Sequence, residues 1–242
     1  MALDDPPNGW FLSNPEDAKS FFAALLGGET ICLLGKADWL TGSNLPIGPD
    51  GDLTIQVTET VQAGNAKRLV YHRKNLTLGI GCERGASSEE ISHLVTETLT
   101  ANRLHPGAVA GIWSIDVKMD EPGIAEVAQS LKVPLRFFPP KTLEAETPRL
   151  ANPSELVFRE VGAHSVAEAA ALAAAGPASA LIVPKAKSLR ATCAIAHTAE
   201  PIQAKAGIAR GYLTLVGLGP GSPEWRTAEC VTILRQAEEI VG

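Results

Sequence analysis

Cysteine is scarce and scattered in this chain: Cys32, Cys82, Cys193 and Cys230 lie far apart and form no CxxC pair. That spacing argues against a structural zinc site and a disulfide framework, and it fits a reducing cytoplasm. The histidines His72, His93, His105, His164 and His197 are equally dispersed, with no HExxH or comparable metal-ligand spacing. No stretch reaches the roughly 18 apolar residues of a membrane span. The opening MALDDPPNGW lacks the basic start and apolar core of a secretory leader. An excess of positive charge is missing too. Lys and Arg total 21 against 27 Asp and Glu, a net charge of −6, so bulk electrostatics gives no support to nucleic-acid binding. Heptads and internal repeats are absent, and no GxGxxG or Walker pattern is completed.

What is present is an ordinary globular composition, 45% apolar and 20% charged over 242 residues, enough for one large domain or two small ones. Strand-like and helix-like stretches alternate, which predicts an α/β sheet protein. Residues 1–73 read as a small α/β unit. Its helix, Pro15 to Leu26, is expected to be capped by Asn14, and strands are expected at Thr30–Leu34, Leu53–Thr58 and Arg68–Tyr71. Residues 74–197 form a second, more regular unit. It starts with a strand at Leu76–Ile80, a glycine-rich turn at 79–85 and a helix whose capping box is Ser87 with Glu90. A strand at Val109–Ile115, a helix from Pro122 to Leu131 and a strand at Val133–Phe138 follow. After a loop, 139–153, Ser165 is expected to cap an alanine-rich helix, and Ala180–Val183 and Ala191–Ala196 complete the strands. Residues 198–210 read as a linker. Residues 211–242 read as a strand (Leu213–Val216), a Gly/Pro-rich turn and a helix, the opening of a further domain rather than its completion.

Three constellations carry chemistry. In GIGCERG, residues 79–85, the backbone N–H groups of Gly79, Gly81 and Gly85 can approach an anion at a helix N-terminus, and Arg84 can clamp a carboxylate. The same glycines equally suit a tight strand-to-helix turn. Cys82 is either a nucleophile activated by the helix terminus or, as no histidine lies near it in sequence, a small residue in a crowded turn. The run Ser114 to Glu121 ends a strand, where ligands of open α/β sheets bind. Asp116 or Glu121 can serve there as general base and Lys118 can hold an anion, while Asp120 fits better as a solvated cap for the helix at Pro122. The third is a compact cationic loop, Lys185, Lys187 and Ser188 followed by Arg190, inside an acidic protein. A cleft is expected near Gly81, Asp116 and Lys185.

The ordered blocks LVYHRKNLTLGIGCERG, VAGIWSIDVKMDEPGIAEVAQSLKVPLRFF, SVAEAAALAAAG and LIVPKAKSLRATCAIA resemble the CbiG family of cobalamin biosynthesis over about residues 70–197. Residues 1–73 are similar to that family's middle region more weakly, and its amino-terminal region has no counterpart here. The tail VGLGPGSPEWRTAECVTILRQAEEIVG resembles the start of a precorrin-3B C(17)-methyltransferase, with Arg226 where that family usually has Leu. The first resemblance implies hydrolytic opening of the ring-A δ-lactone of cobalt-precorrin-5A, with release of acetaldehyde. The partner is then an anionic tetrapyrrole held by Arg84, Lys118, Lys185 and Lys187, with other corrin-pathway enzymes nearby and neither nucleic acid nor membrane. No cofactor belongs to the chain itself, and cobalt enters only within the substrate. The resemblance also implies an alternative, a CobE-like module that carries a tetrapyrrole without cleaving it. The second resemblance makes Gly217, Gly219, Pro220 and Gly221 the remnant of an S-adenosylmethionine loop, which needs a complete methyltransferase domain to function.

Overall fold

The computed structural model describes residues 3–211, 214–219, 222, 226–237 and 240–241. They fall into two compact units, Met1–Ala209 and Arg210–Gly242.

The first unit is α/β and holds two sheets. The smaller has four strands in the order β1 (Trp10–Leu12), β4 (Arg68–Arg73), β3 (Leu53–Val57) and β2 (Ile31–Leu34), parallel except at β1. Helix α1 (Ala18–Leu26) covers it by burying Ala18 and Phe21, and a short helix α2 (Asp38–Thr41) buries Leu40. Asn14 does not cap α1. Its side chain is buried and spans to β4, accepting from Val70 N at 3.0 Å and donating to Arg68 O at 2.9 Å. Pro15–Asp17 forms a 3-10 turn instead.

The larger sheet has six strands. Its centre is parallel: β5 (Leu76–Cys82), β6 (Val109–Ile115) and β7 (Leu135–Phe138). Antiparallel strands flank it, β9 (Ala191–His197) and β8 (Ala180–Lys187) beyond β5, and β10 (Ile208–Ala209) beyond β7. All seven residues of β6 are buried, as a strand covered on both faces requires. One cover is α3 (Ser88–Ala101) with α4 (Pro122–Leu131), over Leu78, Ile80 and Ile112. The other is α7 (Ala167–Ala175), over Trp113 and Ile115.

The alanine content of α7 has a geometric cause. A Cβ on Gly79 would lie 1.9 Å from Ala167 O, so helix and strand meet at backbone contact. Gly79 and Gly81 therefore belong to β5 rather than to a turn; neither needs a left-handed backbone, whereas Gly85, with φ 68°, does. Ser165 does not cap α7 either: Val166 is the cap residue, and the buried Ser165 hydroxyl has no partner among the described residues.

Other sequence expectations shift at the loops. Residues 139–153 are not loop throughout but carry α5 (Pro140–Glu144) and a 3-10 turn at Thr147–Arg149. An unanticipated α6 (Glu155–Val161) follows, capped by Ser154, whose Oγ accepts from Val157 N. Strand β8 runs on through Pro184 to Lys187, because Pro is tolerated on a bulged edge strand. Residues 202–209 lie across the β7 edge. Trp113 Nε1 donates to Ala206 O at 3.0 Å and Arg136 Nη2 to Gly207 O at 2.7 Å, which covers an edge that would otherwise be open.

In the second unit, Thr214–Val216 form no strand and Leu213 lies outside the described residues; a lone strand has no ladder to join. Helix α8 (Ala228–Gln236) does form, with Thr227 Oγ1 accepting from Cys230 N at 3.2 Å.

Histidines line the junction between the two sheets. His72 is fully buried, stacked on His105 with centroids 3.8 Å apart, and its Nδ1 donates to Thr58 O at 2.7 Å. Burial, then the neighbouring His105, pushes its pKa down from 6.5 to about 4. The folded value is below the unfolded one, so the unfolded chain takes the proton first. The contribution is fully present above pH 6.5 and is lost as pH falls from 6.5 toward 4. Urea unfolding of the wild type is expected to lose about 3 kcal/mol more across that window than unfolding of His72→Phe. Parallel pH profiles for the two proteins would refute the assignment.

Candidate functional site

Two loops meet where β5 and β6 end. The first, Glu83–Ala86, leads into α3; Ser87 caps that helix by accepting from Glu90 N at 3.2 Å. The second, Asp116–Glu121, contains a 3-10 turn and leads into α4. Parallel pairing of Gly79 with Trp113 sets both loops at one edge of the sheet.

Charge ties the loops together. Arg84 Nη1 lies 2.7 Å from both carboxyl oxygens of Asp120, and Nη2 donates to Val117 O at 2.9 Å. The hydrogen bond and charge of Arg84 hold the Asp120 pKa below the usual carboxylate range. Glu121, only 4% exposed, accepts from Gly85 N at 3.0 Å and lies 3.4–3.5 Å from Arg84 Nη1 and Lys118 Nζ. Asp116 keeps a buried oxygen, Oδ1, with no partner among the described residues.

A third element enters from the turn between β8 and β9. The Arg190 guanidinium donates to Gly85 O at 3.1 Å, to Arg84 O, and to Glu83 Oε2 at 3.2 Å. Glu90 does not close a reciprocal capping box. Its carboxylate accepts instead from Ser188 Oγ at 2.5 Å and Arg190 N at 2.7 Å. Arg190 and Glu90 thus organise the site, Arg190 from the end of the cationic loop and Glu90 from the first turn of α3. The usable clue to Arg190 was its position after a cationic run and before a strand.

Cys82 sits amid these groups. Burial, and secondarily Glu121, push its thiol up to about 11 against the opposing pull of Lys118, Arg190 and Arg84. A half-buried thiol with that pKa stays protonated at neutral pH, which fits the space-filling reading better than the nucleophile.

The cationic strand is arranged differently. Lys185 Nζ donates to Asn152 O at 2.8 Å and its backbone N to Glu168 Oε1 at 2.9 Å. Glu168 is fully buried and also accepts from Ala151 N, Asn152 N and Asn152 Nδ2 at 2.8–2.9 Å. Lys187 is exposed, pairs in register with Thr192, and has no side-chain partner among the described residues. Thr192 Oγ1 donates to Gly81 O at 3.2 Å, which brings Lys187 to the same end of the sheet as Cys82. The structure therefore gathers Cys82, Arg84, Gly85, Asp116, Lys118, Glu121 and Ser188 at one edge. It leaves Lys187 flanking them, places Lys185 in a separate clasp, and sets Gly79 under α7. Of the tail's expected loop, Gly217 and Gly219 lie in irregular chain, and Pro220 and Gly221 lie outside the described residues. Among the described residues no cluster of three or more His, Cys, Asp or Glu forms a metal cage, and no helix is long and apolar enough to cross a membrane.

The family described as cobalamin synthesis G C-terminus matches residues 76–196, and the chain belongs to it. Protein CobE of a Sinorhizobium species is 46% identical over 124 residues, 51% of this chain and 80% of CobE. A cobalt-precorrin-5A hydrolase of Priestia megaterium is 33% identical over 128 residues, which are 53% of this chain and 33% of the hydrolase. The chain therefore spans most of that CobE but only about a third of the hydrolase's length. A crystal structure of CobE, a protein from the cobalamin (vitamin B12) biosynthetic pathway, aligns with a TM-score of 0.49 and 39% identity over 51% of this chain and 90% of that one.

Proposed function

We propose that the β5–β6 edge binds an anionic tetrapyrrole of the corrin pathway, as a CobE-like module. The observation that carries this reading is the Arg84–Asp120 pair. It is solvent-exposed, with side chains 63% and 70% accessible, so it contributes little to stability. Asp120 and Val117 nevertheless hold the guanidinium in one orientation. A substrate carboxylate can replace Asp120 on Nη1 while Val117 O still holds Nη2, which lowers the ordering cost of binding. Lys187 supplies a second cation for another carboxylate on the macrocycle's rim. Any cobalt travels in the macrocycle and needs no ligand from the chain.

A second reading rests on Asp116. Its buried Oδ1 has no partner among the described residues, which leaves it free to accept a proton from a water admitted with the substrate, and this supports lactone hydrolysis of cobalt-precorrin-5A with release of acetaldehyde. Glu121 suits that role less well, because its oxygens are already engaged by Gly85, Lys118 and Arg84. The segment 211–242 fits the start of a tetrapyrrole methyltransferase in its Thr227-capped helix, and we assign it no S-adenosylmethionine binding of its own.

Titration with cobalt-precorrin-5A, followed by an acetaldehyde assay, tests both readings. Expected are saturable binding without acetaldehyde, an affinity about tenfold weaker in Arg84→Ala, and a tighter one in Asp120→Asn. Unchanged affinity in Arg84→Ala would defeat the binding site. Acetaldehyde release that vanishes in Asp116→Asn would replace the binding reading with the hydrolase.

A further inference from the structure

A cavity of about 550 Å³ opens at the opposite end of α3, beside the start of β6. The helix has 14 residues, about 20 Å, so the cavity is well separated from the charged loops. Val61, Leu99, Leu104 and Leu131 give it an apolar lining, and Thr100 and Arg103 add polar groups. Its volume lies in the range of small-molecule sites, about 300–1,000 Å³.

The rim is unusual in its backbone. Helix α3 ends with Leu104 N donating to Leu99 O at 2.9 Å and Arg103 N to Thr100 O at 3.0 Å. These paired bonds define a Schellman ending, whose left-handed position is ordinarily glycine. Arg103 occupies it with φ 56°. Helix α4 repeats the arrangement: Val133 N donates to Ala128 O and Lys132 N to Gln129 O, both at 3.1 Å, with Lys132 at φ 54°. Leu131, in the cavity wall, directly precedes Lys132. A cation near a helix C-terminus is favourable by itself, but a residue in the last helical turn would supply it without left-handed strain. Arg103 and Lys132 are both exposed, and neither has a side-chain hydrogen bond or ion pair among the described residues. Two side-by-side helices thus each end on a left-handed, unpaired cation: Arg103 lines the apolar cavity, and Lys132 follows Leu131 of its wall.

We propose that this cavity is a second binding site, for a small amphipathic carboxylate. Its hydrocarbon body lies among Leu99, Leu104 and Leu131, its carboxylate pairs with Arg103, and Lys132 adds to the positive field. The site is independent of the β5–β6 edge and of the function proposed for it.

The test uses the full chain and decanoate as probe, with decanol as its uncharged counterpart, both read by displacement of anilinonaphthalene sulfonate. Decanoate is expected to bind at least tenfold more tightly than decanol. Arg103→Gly suits the left-handed backbone, so its melting temperature is expected to match or exceed the wild type's. Its decanoate affinity is expected to fall at least fivefold and its decanol affinity to stay unchanged. Thr96→Trp, which fills the cavity, is expected to abolish binding of both. Equal affinity for decanoate and decanol in the wild type, or undiminished decanoate binding in Arg103→Gly, overturns the proposal.

Discussion

Gly79→Ala is expected to destabilise the protein by about 3 kcal/mol or more, enough to unfold a marginal domain or to send it into inclusion bodies. The added Cβ would lie 1.9 Å from Ala167 O and 2.8 Å from Ala171 N. Both are backbone atoms of α7, so no rotamer change relieves the clash and the helix must lift from β5. Lifting α7 opens an interface in which Ala167, Ala169, Ala170 and Ala171 are all buried. Small side chains make that interface tight, and the same smallness leaves nothing to fill a gap once it opens. Gly81→Ala is the control. Its new Cβ meets Thr192 Oγ1 at 2.9 Å, which a χ1 rotation can move, and Val166 Cβ at 3.2 Å, which needs a shift of only a few tenths of an ångström. It is expected to cost about 1 kcal/mol. Urea unfolding of both variants measures the difference; equal costs would show that the α7–β5 approach is not what requires glycine.

Replacing Glu168 is the second large effect. Its carboxylate is fully buried and receives four N–H donors, from Ala151, Asn152 twice, and Lys185. Burial alone would raise its pKa; the donors more than offset this, and the net shift is downward. The folded value is therefore below the unfolded one. The carboxylate's contribution is present above the ordinary carboxylate pKa and is lost as pH falls through the lower, folded value. Glu168→Gln keeps the shape but turns one acceptor into a donor that faces other donors, so a loss of about 2–4 kcal/mol is expected at neutral pH. The loss should shrink in acid, where the wild-type residue is itself protonated. A Gln variant as stable as the wild type at pH 7 would show that the clasp is dispensable. Because Glu168 also holds the backbone of Lys185, the variant further separates that lysine's structural tie from any part in anion binding.

Both residues were hard to weigh from sequence. Gly79 sits in a glycine-rich run and reads as part of a turn, since a helix 88 residues later gives no local sign that it packs there. Glu168 reads as an ordinary acidic residue in a first helical turn. The same limit applies to Asn14 and Ser165. Each occupies a position where a cap is chemically sensible, yet Asn14 is drawn to the backbone of β4, and Val166 takes the cap position that Ser165 was expected to hold. Local rules describe what a side chain can reach along its own segment. They do not rank that against a partner from another one.

Residue order by itself determined the alternation of strands and helices from Leu76 to Phe138, because hydrophobic periodicity, Pro122 and Ser87 act within a few residues. It also determined that charge would collect after β5 and β6, since Arg84, Asp116, Lys118 and Glu121 follow those strands directly. Only the tertiary structure decided how the charge is used. Parallel pairing of β5 with β6 puts Arg84 against Asp120, 36 residues away, and the pairing of β9 with β5 brings Arg190, just before β9, to Glu83 and Gly85. The physical reason is that ion pairs and buried hydrogen bonds depend on distances of a few ångströms. In a sheet protein those distances are set by strands that are remote in sequence.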